Sequence, residues 1–431
     1  MKVLLVNPWI YDFAAVNLWA MPLGLLKVAE CLSAFGIETA IVDCTGTWRQ
    51  KGYGAGKYPK VAVDRPDCIR QVPRQFGRYG ITINDFKNAL TERAPFDAVF
   101  MTSLMSYWYP GVQETVKTVK SLFPKVPVVL GGIYATLWHG HASEKSGADF
   151  VYKGQIGEEI SFVLNTFGFR VRKRREKIAC CNLGLYRRLR FWPLLTGTGC
   201  PFACSYCASR LLTKDFIRRT PDEIVREIST LESRGTKDFA FYDDALLVDA
   251  DRHIKVILKW ILKEGKLLQF HCPNGLHARF IDEELACLMK DSGFRTLRLS
   301  LETVDSGRQD ATGGKVNNDD LRRAVKHLRK YGFTKQEIGI YLMYGLPGQG
   351  LDEVEEGVRF LKQLGVRIHL TEFSPIPGTP SWDELIKKGI VTNSIDPLLT
   401  NNTVFSLLFS GYDRERLERL KLEVKKYNAA S

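Results

Sequence analysis

Thr196-Gly-Thr-Gly-Cys200-Pro-Phe-Ala-Cys204-Ser-Tyr-Cys207 is the stretch on which the reading of this 431-residue chain turns. Its three thiols stand in a C-x3-C-x2-C spacing on one tight loop, one ligand short of a closed zinc site or a fully ligated four-iron cluster. A zinc knuckle would need a fourth Cys or His close by, and none follows before Asp243. The open position is the informative part, because an iron without a protein ligand can bind a small molecule through its amine and carboxylate and pass it an electron. Gly197 and Gly199 let the backbone turn sharply into the loop, and Pro201 limits its freedom.

Working outward, strand-like runs occupy Trp192–Thr196, Asp238–Tyr242, Leu268–Cys272, Thr296–Leu301, Glu337–Tyr344 and Arg367–Phe373. Helical runs separate them at Pro221–Ser233, Asp251–Glu264, Asp282–Asp291, Asp319–Tyr331 and Leu351–Leu364. Six strand-helix units suit a partial (β/α)6 barrel, open on one side, whose working face is the carboxyl end of its strands. In Arg298-Leu-Ser300-Leu-Glu302 the polar residues alternate with leucines, so one face is oily and the other points into the barrel.

The cysteine spacing, with aromatic Tyr206 before the last cysteine, on the loop after the first strand of a partial barrel, resembles the radical S-adenosylmethionine (SAM) superfamily. The resemblance implies a [4Fe-4S] cluster on Cys200, Cys204 and Cys207 that reductively cleaves SAM to a 5′-deoxyadenosyl radical, which abstracts a substrate hydrogen. It also implies an external electron donor such as a flavodoxin or ferredoxin. By the same resemblance Glu302 matches the ribose-binding acid; the other reading is an internal scaffold pair with Arg298. Ser300 faces the lumen beside it. Asp243 and Asp244 stand where the family contacts the methionine amine, or they cap the next helix. Asn274 resembles a SAM hydroxyl contact, or is a turn residue. Gly345, in Tyr344-Gly-Leu-Pro-Gly348, would let an adenine lie against the backbone.

Upstream, short apolar strands at Lys2–Val6, Glu38–Asp43, Ala98–Thr102, Val126–Leu130 and Phe150–Tyr152 alternate with amphipathic segments at Leu23–Phe35, Val112–Phe123 and Glu158–Leu164. This pattern predicts a doubly wound parallel sheet, with ligands beyond the carboxyl ends of its strands. The stretch from Thr45 to Ile83 is long for a loop and implies short structure of its own or a lid. Asn7-Pro8, Met21-Pro-Leu-Gly24, Thr102-Ser-Leu104, Gly131-Gly132 and Gly154-Gln-Ile-Gly-Glu158 together resemble the cobalamin-binding domain that precedes the barrel in one radical SAM subfamily. The resemblance implies that Thr102 and Leu104 line the cofactor's nucleotide tail and that Gly131 and Gly132 permit close approach of a flat ligand. No Asp-x-His-x-x-Gly occurs, so a cobalamin here would lack a histidine ligand; His139 and His141 read as surface residues. The rings of Ser106-Tyr-Trp-Tyr-Pro110 either stack over a corrin or fill its space.

The expected architecture is therefore α/β: a cobalamin-binding-like, Rossmann-like doubly wound sheet at 1–165, a basic linker at 166–191, a radical SAM partial barrel at 192–385 and a helical C-terminal extension at 386–431. In that extension Leu417, Leu420, Val424 and Tyr427 share one helical face. The formal net charge of +13 hints at nucleic acid or anionic lipid, but Arg170–Arg190 alone holds nine basic residues against one acid, which marks a solvated linker. No apolar run reaches bilayer length, and Asn7-Pro8 interrupts the opening too early for a signal peptide, so a cytoplasmic location is expected. There ten cysteines would be free, metal-bound or catalytic. The expected function is cobalamin-associated C–H activation of a small-molecule or lipid-like substrate, with methyl transfer to carbon as outcome. One alternative is a radical SAM enzyme with a vestigial cobalamin domain that catalyses cyclisation, coupling or rearrangement. A second is a non-enzymatic nucleic-acid binder, against which stands the lack of an interleaved basic-aromatic strand.

Overall fold

A computed structural model of the protein describes residues 1–46, 49–51, 55–157, 159–174, 181–186 and 189–430. The chain forms two compact units, residues 1–188 with 396–399, and residues 189–395 with 400–431.

In the first unit, β1 (Lys2–Asn7), β2 (Glu38–Asp43), β3 (Ala98–Met101), β4 (Val128–Leu130) and β5 (Phe150–Val151) form a wholly parallel sheet in the order β5-β4-β3-β1-β2. Val3, Leu4, Leu5 and Val6 are fully buried, as a strand covered on both faces requires. Strand order reverses at β1, which opens a crevice at the carboxyl ends of β1 and β3. The helix Tyr109–Leu122 starts earlier than the apolar period suggested, because Pro110 at its first turn needs no hydrogen-bond acceptor. Ile83–Arg93 is a helix that periodicity did not announce. Only Phe86 and Leu90 are buried on it, but Thr82 and Asp85 close a capping box at its start. The long stretch after β2 contributes to two small antiparallel sheets, one of Ile10–Asp12, Lys60–Ala62 and Gly77–Tyr79, the other of Val16–Asn17, Arg49–Lys51 and Ala55–Lys57.

In the second unit β6 (Phe191–Leu194), β7 (Asp238–Phe241), β8 (Gln269–His271), β9 (Phe294–Glu302), β10 (Ile338–Tyr344) and β11 (Arg367–Glu372) pair in sequence order, all parallel, leaving β6 and β11 as edges. Leu297, Leu299 and Leu301 of β9 and Ile338, Ile340 and Leu342 of β10 face the helices and are buried. The alternate residues Arg298, Tyr341 and, on β11, His369 face inward and are half-buried. The helix Arg414–Ala429 buries Leu417, Leu420 and Val424. Its Asn428 also occupies the edge of β11, donating to the Ile368 carbonyl (2.7 Å) and accepting from the Ile368 N–H (2.9 Å). That side chain supplies the pairing which an exposed edge otherwise offers to another chain.

Gly111 shows how closely the first unit is packed, since a Cβ there would lie 2.0 Å from the Trp9 carbonyl oxygen. Gly111→Ala should destabilise this unit by about 2–3 kcal/mol despite alanine's better helix propensity. Gly140→Ala, where an added Cβ meets nothing within 4 Å, should not. Denaturant melts of the two variants check this.

Candidate functional site

The cysteine loop is anchored where it leaves β6. The Thr196 N–H (3.0 and 3.2 Å) and hydroxyl (2.6 Å) both donate to the Asp243 carboxylate beyond β7. Asp243 is buried, and burial pushes its carboxyl up to about 6 against the Thr196 bonds that favour the charged form. Its oxygens thus serve the loop entry; they cap no helix. Asp244 is exposed, beside Ser209. A Cβ on Gly199 (φ +80°) would fall 2.3 Å from the Asp215 carbonyl, and one on Gly197 2.8 Å from that of Ile217. The glycines are needed because a returning strand, Ile217–Arg218, pairs directly with Gly197–Thr198.

The far end of the loop is held as firmly. The Ser205 N–H donates to the Thr312 carbonyl (3.2 Å), the Ser205 carbonyl accepts from Ser381 N–H (2.9 Å), and the two serine hydroxyls meet at 3.2 Å. Cys200, Cys204 and Cys207 are all free thiols. Burial raises the thiol of Cys200 to about 11 and that of Cys204 as well, so a metal that binds here releases protons.

Glu302 ends β9 at a bulge, in a left-handed conformation (φ +67°) that costs about 1 kcal/mol or more for a residue with a side chain. It accepts a 2.6 Å hydrogen bond from Lys315 Nζ, which also lies 5.7 Å from the Tyr206 ring centroid. Burial works against the Lys315 ammonium, but Glu302 and the Cys204 thiol outweigh it and raise its pKa. The Tyr206 hydroxyl is pushed up by burial first, then by Glu302 and Cys204. Glu302 thus pairs with Lys315 and not with Arg298, the scaffold partner considered from sequence. Lys315 follows Gly313-Gly314 on a loop with neither periodicity nor a motif to single it out.

Among the other expected residues, Asn274 donates to the Tyr242 carbonyl (2.8 Å), tying the ends of β8 and β7 together. Ser300 is buried, so close to Gly275 that a Cβ there would meet its hydroxyl at 1.8 Å. The Gly345 N–H (φ +88°) donates to the Tyr412 hydroxyl (3.0 Å), a contact that sequence did not suggest. The loop after Gly345 is clamped by Arg308, which donates to the carbonyls of Pro347 (2.9 Å) and Gly348 (3.0 Å) and to Glu353 (3.0 Å).

In the first unit, Thr102 follows β3 half-buried, while Leu104 and the neighbouring Met105 are exposed. Gly131 and Gly132 differ. A Cβ on Gly132 (φ +96°) would lie 2.4 Å from the Ser103 carbonyl, whereas one on Gly131 meets nothing within 4 Å. Gly132 therefore serves the protein's own packing, and Gly131 borders open space. Tyr107 and Tyr109 are buried, with Tyr109 stacked on Tyr134 and hydrogen-bonded to Asp396 (3.0 Å). These two rings thus belong to the core, while Trp108 is half-buried and donates to Asp12 (2.6 Å). His141, expected at the surface, is half-buried. Its Nδ1 lies 2.7 Å from the Tyr134 hydroxyl and its ring packs on Tyr109, and the desolvation this brings lowers its pKa. Asn7 donates to Asp43 (2.7 Å), which also accepts from Tyr186 (2.9 Å), so the ends of β1 and β2 are internally satisfied. Glu158, Cys180 and the linker residues 175–180 and 187–188 lie outside the described residues.

Residues 194–361 match the family model of the radical SAM superfamily. This part of the chain is a radical SAM domain. An uncharacterized methyltransferase of Pyrococcus horikoshii is 26% identical over 237 residues, which cover 52% of this chain and 50% of that protein. The chain thus spans about half the length of this relative. The ribosomal protein uS12 methylthiotransferase RimO of Clostridium botulinum is 22% identical, covering 70% of each chain. Among solved structures, the radical SAM methyltransferase TsrM from Kitasatospora setae, with tryptophan and a SAM analogue bound, aligns with a TM-score of 0.66 at 18% identity, over 90% of this chain and 76% of its own. The cobalamin-dependent radical SAM enzyme OxsB, with aqua-cobalamin and SAM bound, aligns at 0.57 with 12% identity, over 99% and 61%. These likenesses concern the fold, and they extend beyond the radical SAM domain to the N-terminal sheet. The radical SAM family implies a four-iron cluster and SAM for the matched domain, and three free thiols on one braced loop beside a buried carboxylate fit both.

The Glu302–Lys315 pair should be strongly coupled. Lys315→Met leaves a buried carboxylate without its cation and should cost about 3 kcal/mol. Adding Glu302→Gln should recover most of that loss. Denaturant unfolding of the two single variants and the double variant measures the coupling.

Proposed function

We propose that the protein is a cobalamin-associated radical SAM enzyme that activates a C–H bond of a small substrate, with methyl transfer to carbon as the outcome. The observation that carries this reading is the cysteine loop, braced at Thr196 and Ser205, with Glu302, Lys315 and Tyr206 gathered beside Cys204. When bound, the cluster supplies the electron that cleaves SAM to methionine and a 5′-deoxyadenosyl radical, and cobalamin supplies the methyl group. The chain's own residues bind and orient. Cys200, Cys204 and Cys207 hold the cluster. Glu302, held by Lys315, orients the ribose hydroxyls, and the Lys315 ammonium neutralises the methionine carboxylate. Asn274, Ser300 and Gly345 border the rest of SAM. Asp243 keeps the loop in place, and Asp244 takes the amine. A flavodoxin or ferredoxin delivers the electron.

Support for cobalamin comes from the first unit. Its fold resembles those of TsrM and OxsB, and the exposed Leu104 and Met105 and the open side of Gly131 offer an apolar rim at the ends of β3 and β4. A flat, bulky ligand needs such a rim. No Asp-x-His-x-x-Gly occurs in the sequence, and His141 of the first unit is held at Nδ1 by the Tyr134 hydroxyl.

Anaerobic reconstitution with iron, sulfide and hydroxocobalamin, followed by mass spectrometry, tests the reading. Wild-type protein should bind roughly four irons, form 5′-deoxyadenosine and retain corrinoid, with S-adenosylhomocysteine accumulating on turnover. Cys204→Ala should lose the iron and the deoxyadenosine. Normal iron content and SAM cleavage in that variant would refute the cluster assignment, and absence of corrinoid would leave a radical SAM enzyme without cobalamin.

A further inference from the structure

We propose that Arg298, inside the second unit's sheet, binds a carboxylate of the substrate. The proposal rests on the radical SAM reading and adds to it a class of substrate: a small acid held by its carboxylate in the lumen, below the SAM site.

Arg298 faces inward from the middle of β9, yet among the described residues its side chain makes one hydrogen bond, from Nη1 to the Leu297 carbonyl (3.1 Å). The groups that act on its charge are Tyr341, Arg367 and Cys272, none of them a carboxylate. The acids on neighbouring strands are engaged elsewhere. Asp238 bonds His271 (3.0 Å), Glu302 bonds Lys315 (2.6 Å), and Glu372 accepts from Tyr344 (2.5 Å) and Thr403 (3.0 Å). His369 adds no negative charge; burial and then Arg298 and Arg367 push its pKa down to about 3, which leaves a neutral imidazole. Tyr341 spends its proton on the Pro273 carbonyl (2.7 Å). A guanidinium taken from bulk water without an acid is costly unless something anionic answers it.

Arg298, Tyr341, Met343 and His369 keep part of their surface within reach of water, whereas the outward-facing residues of β9 and β10 are sealed. Gly339 is what lets the guanidinium sit there, because a Cβ at that position would lie 2.7 Å from both Arg298 Nη1 and His369 Nε2. Arg298 stands two inward positions below Glu302, roughly 13 Å along the strand. A planar, two-pronged guanidinium suits a carboxylate, and a small acid held there would have the rest of its length directed along the inner face toward Glu302.

Fluorine NMR of the anaerobic, reconstituted protein with trifluoroacetate as carboxylate probe, and trifluoroethanol as its neutral counterpart, tests this. Saturable broadening of trifluoroacetate alone is expected in the wild type. Affinity should fall about tenfold or more in Arg298→Met and less in Arg298→Lys, which keeps a cation. If Arg298→Met does not fold, Gly339→Ala, whose Cβ displaces the guanidinium, takes its place. No saturable binding to the wild type, equal binding to the variants, or equal binding of trifluoroethanol would overturn the proposal. Deoxyadenosine assayed in the same wild-type samples reports on the radical reading separately: protein that binds trifluoroacetate but forms none keeps the site and loses the reading.

Discussion

Asp243 is a buried carboxylate that spends both oxygens on Thr196, the residue where the chain leaves β6 and enters the cysteine loop. With the loop fixed at that end, and at Ser205 by Thr312 and Ser381, three thiols are presented from a short segment that would otherwise wander. Preorganisation of this kind matters for a metal site, since a ligand set that must be ordered on binding loses affinity to the ordering. The same bonds tie the loop to segments after β7, after β9 and after β11. The ends of the strands therefore act as one platform.

The platform is built by alternation. Residues of β9 and β10 that face the helices are leucine and isoleucine, and those that face inward are Arg298, Ser300, Glu302 and Tyr341. Oily contacts stabilise the sheet while the inner face is left for polar chemistry. That face is strongly differentiated along its length. Near the carboxyl ends the Glu302 carboxylate is answered by Lys315, whereas lower down the Arg298 side chain bonds the Leu297 carbonyl and, among the described residues, pairs with no acid. The first unit divides its strand ends in a comparable way: β1 and β2 close on an internal Asn7–Asp43–Tyr186 network, and β3 and β4 present Leu104 and the open side of Gly131.

Most strands, the parallel connection and the cysteine loop were legible because each rests on local order: a run of β-branched residues, a helix period, a spacing of three thiols. Boundaries moved by a few residues where capping decided them, as at Tyr109–Leu122. The helix Ile83–Arg93 escaped notice because two buried side chains make a weak period. The partial burial of His141 was missed for a different reason. His141 is polar in sequence, but Tyr109, Tyr134 and Trp138 surround it in space.

Sequence alone determined the α/β class and the two successive parallel sheets and singled out the three cysteines by their spacing, since periodicity and spacing are properties of neighbours along the chain. Only the tertiary structure decided which charges meet. Lys315 reaches Glu302 across a bulge and a glycine pair, Tyr412 comes from the C-terminal extension to Gly345, and Gly132 is needed for Ser103 while Gly131 is not. Charge pairing and close approach depend on distances between residues remote in sequence, which no local pattern encodes.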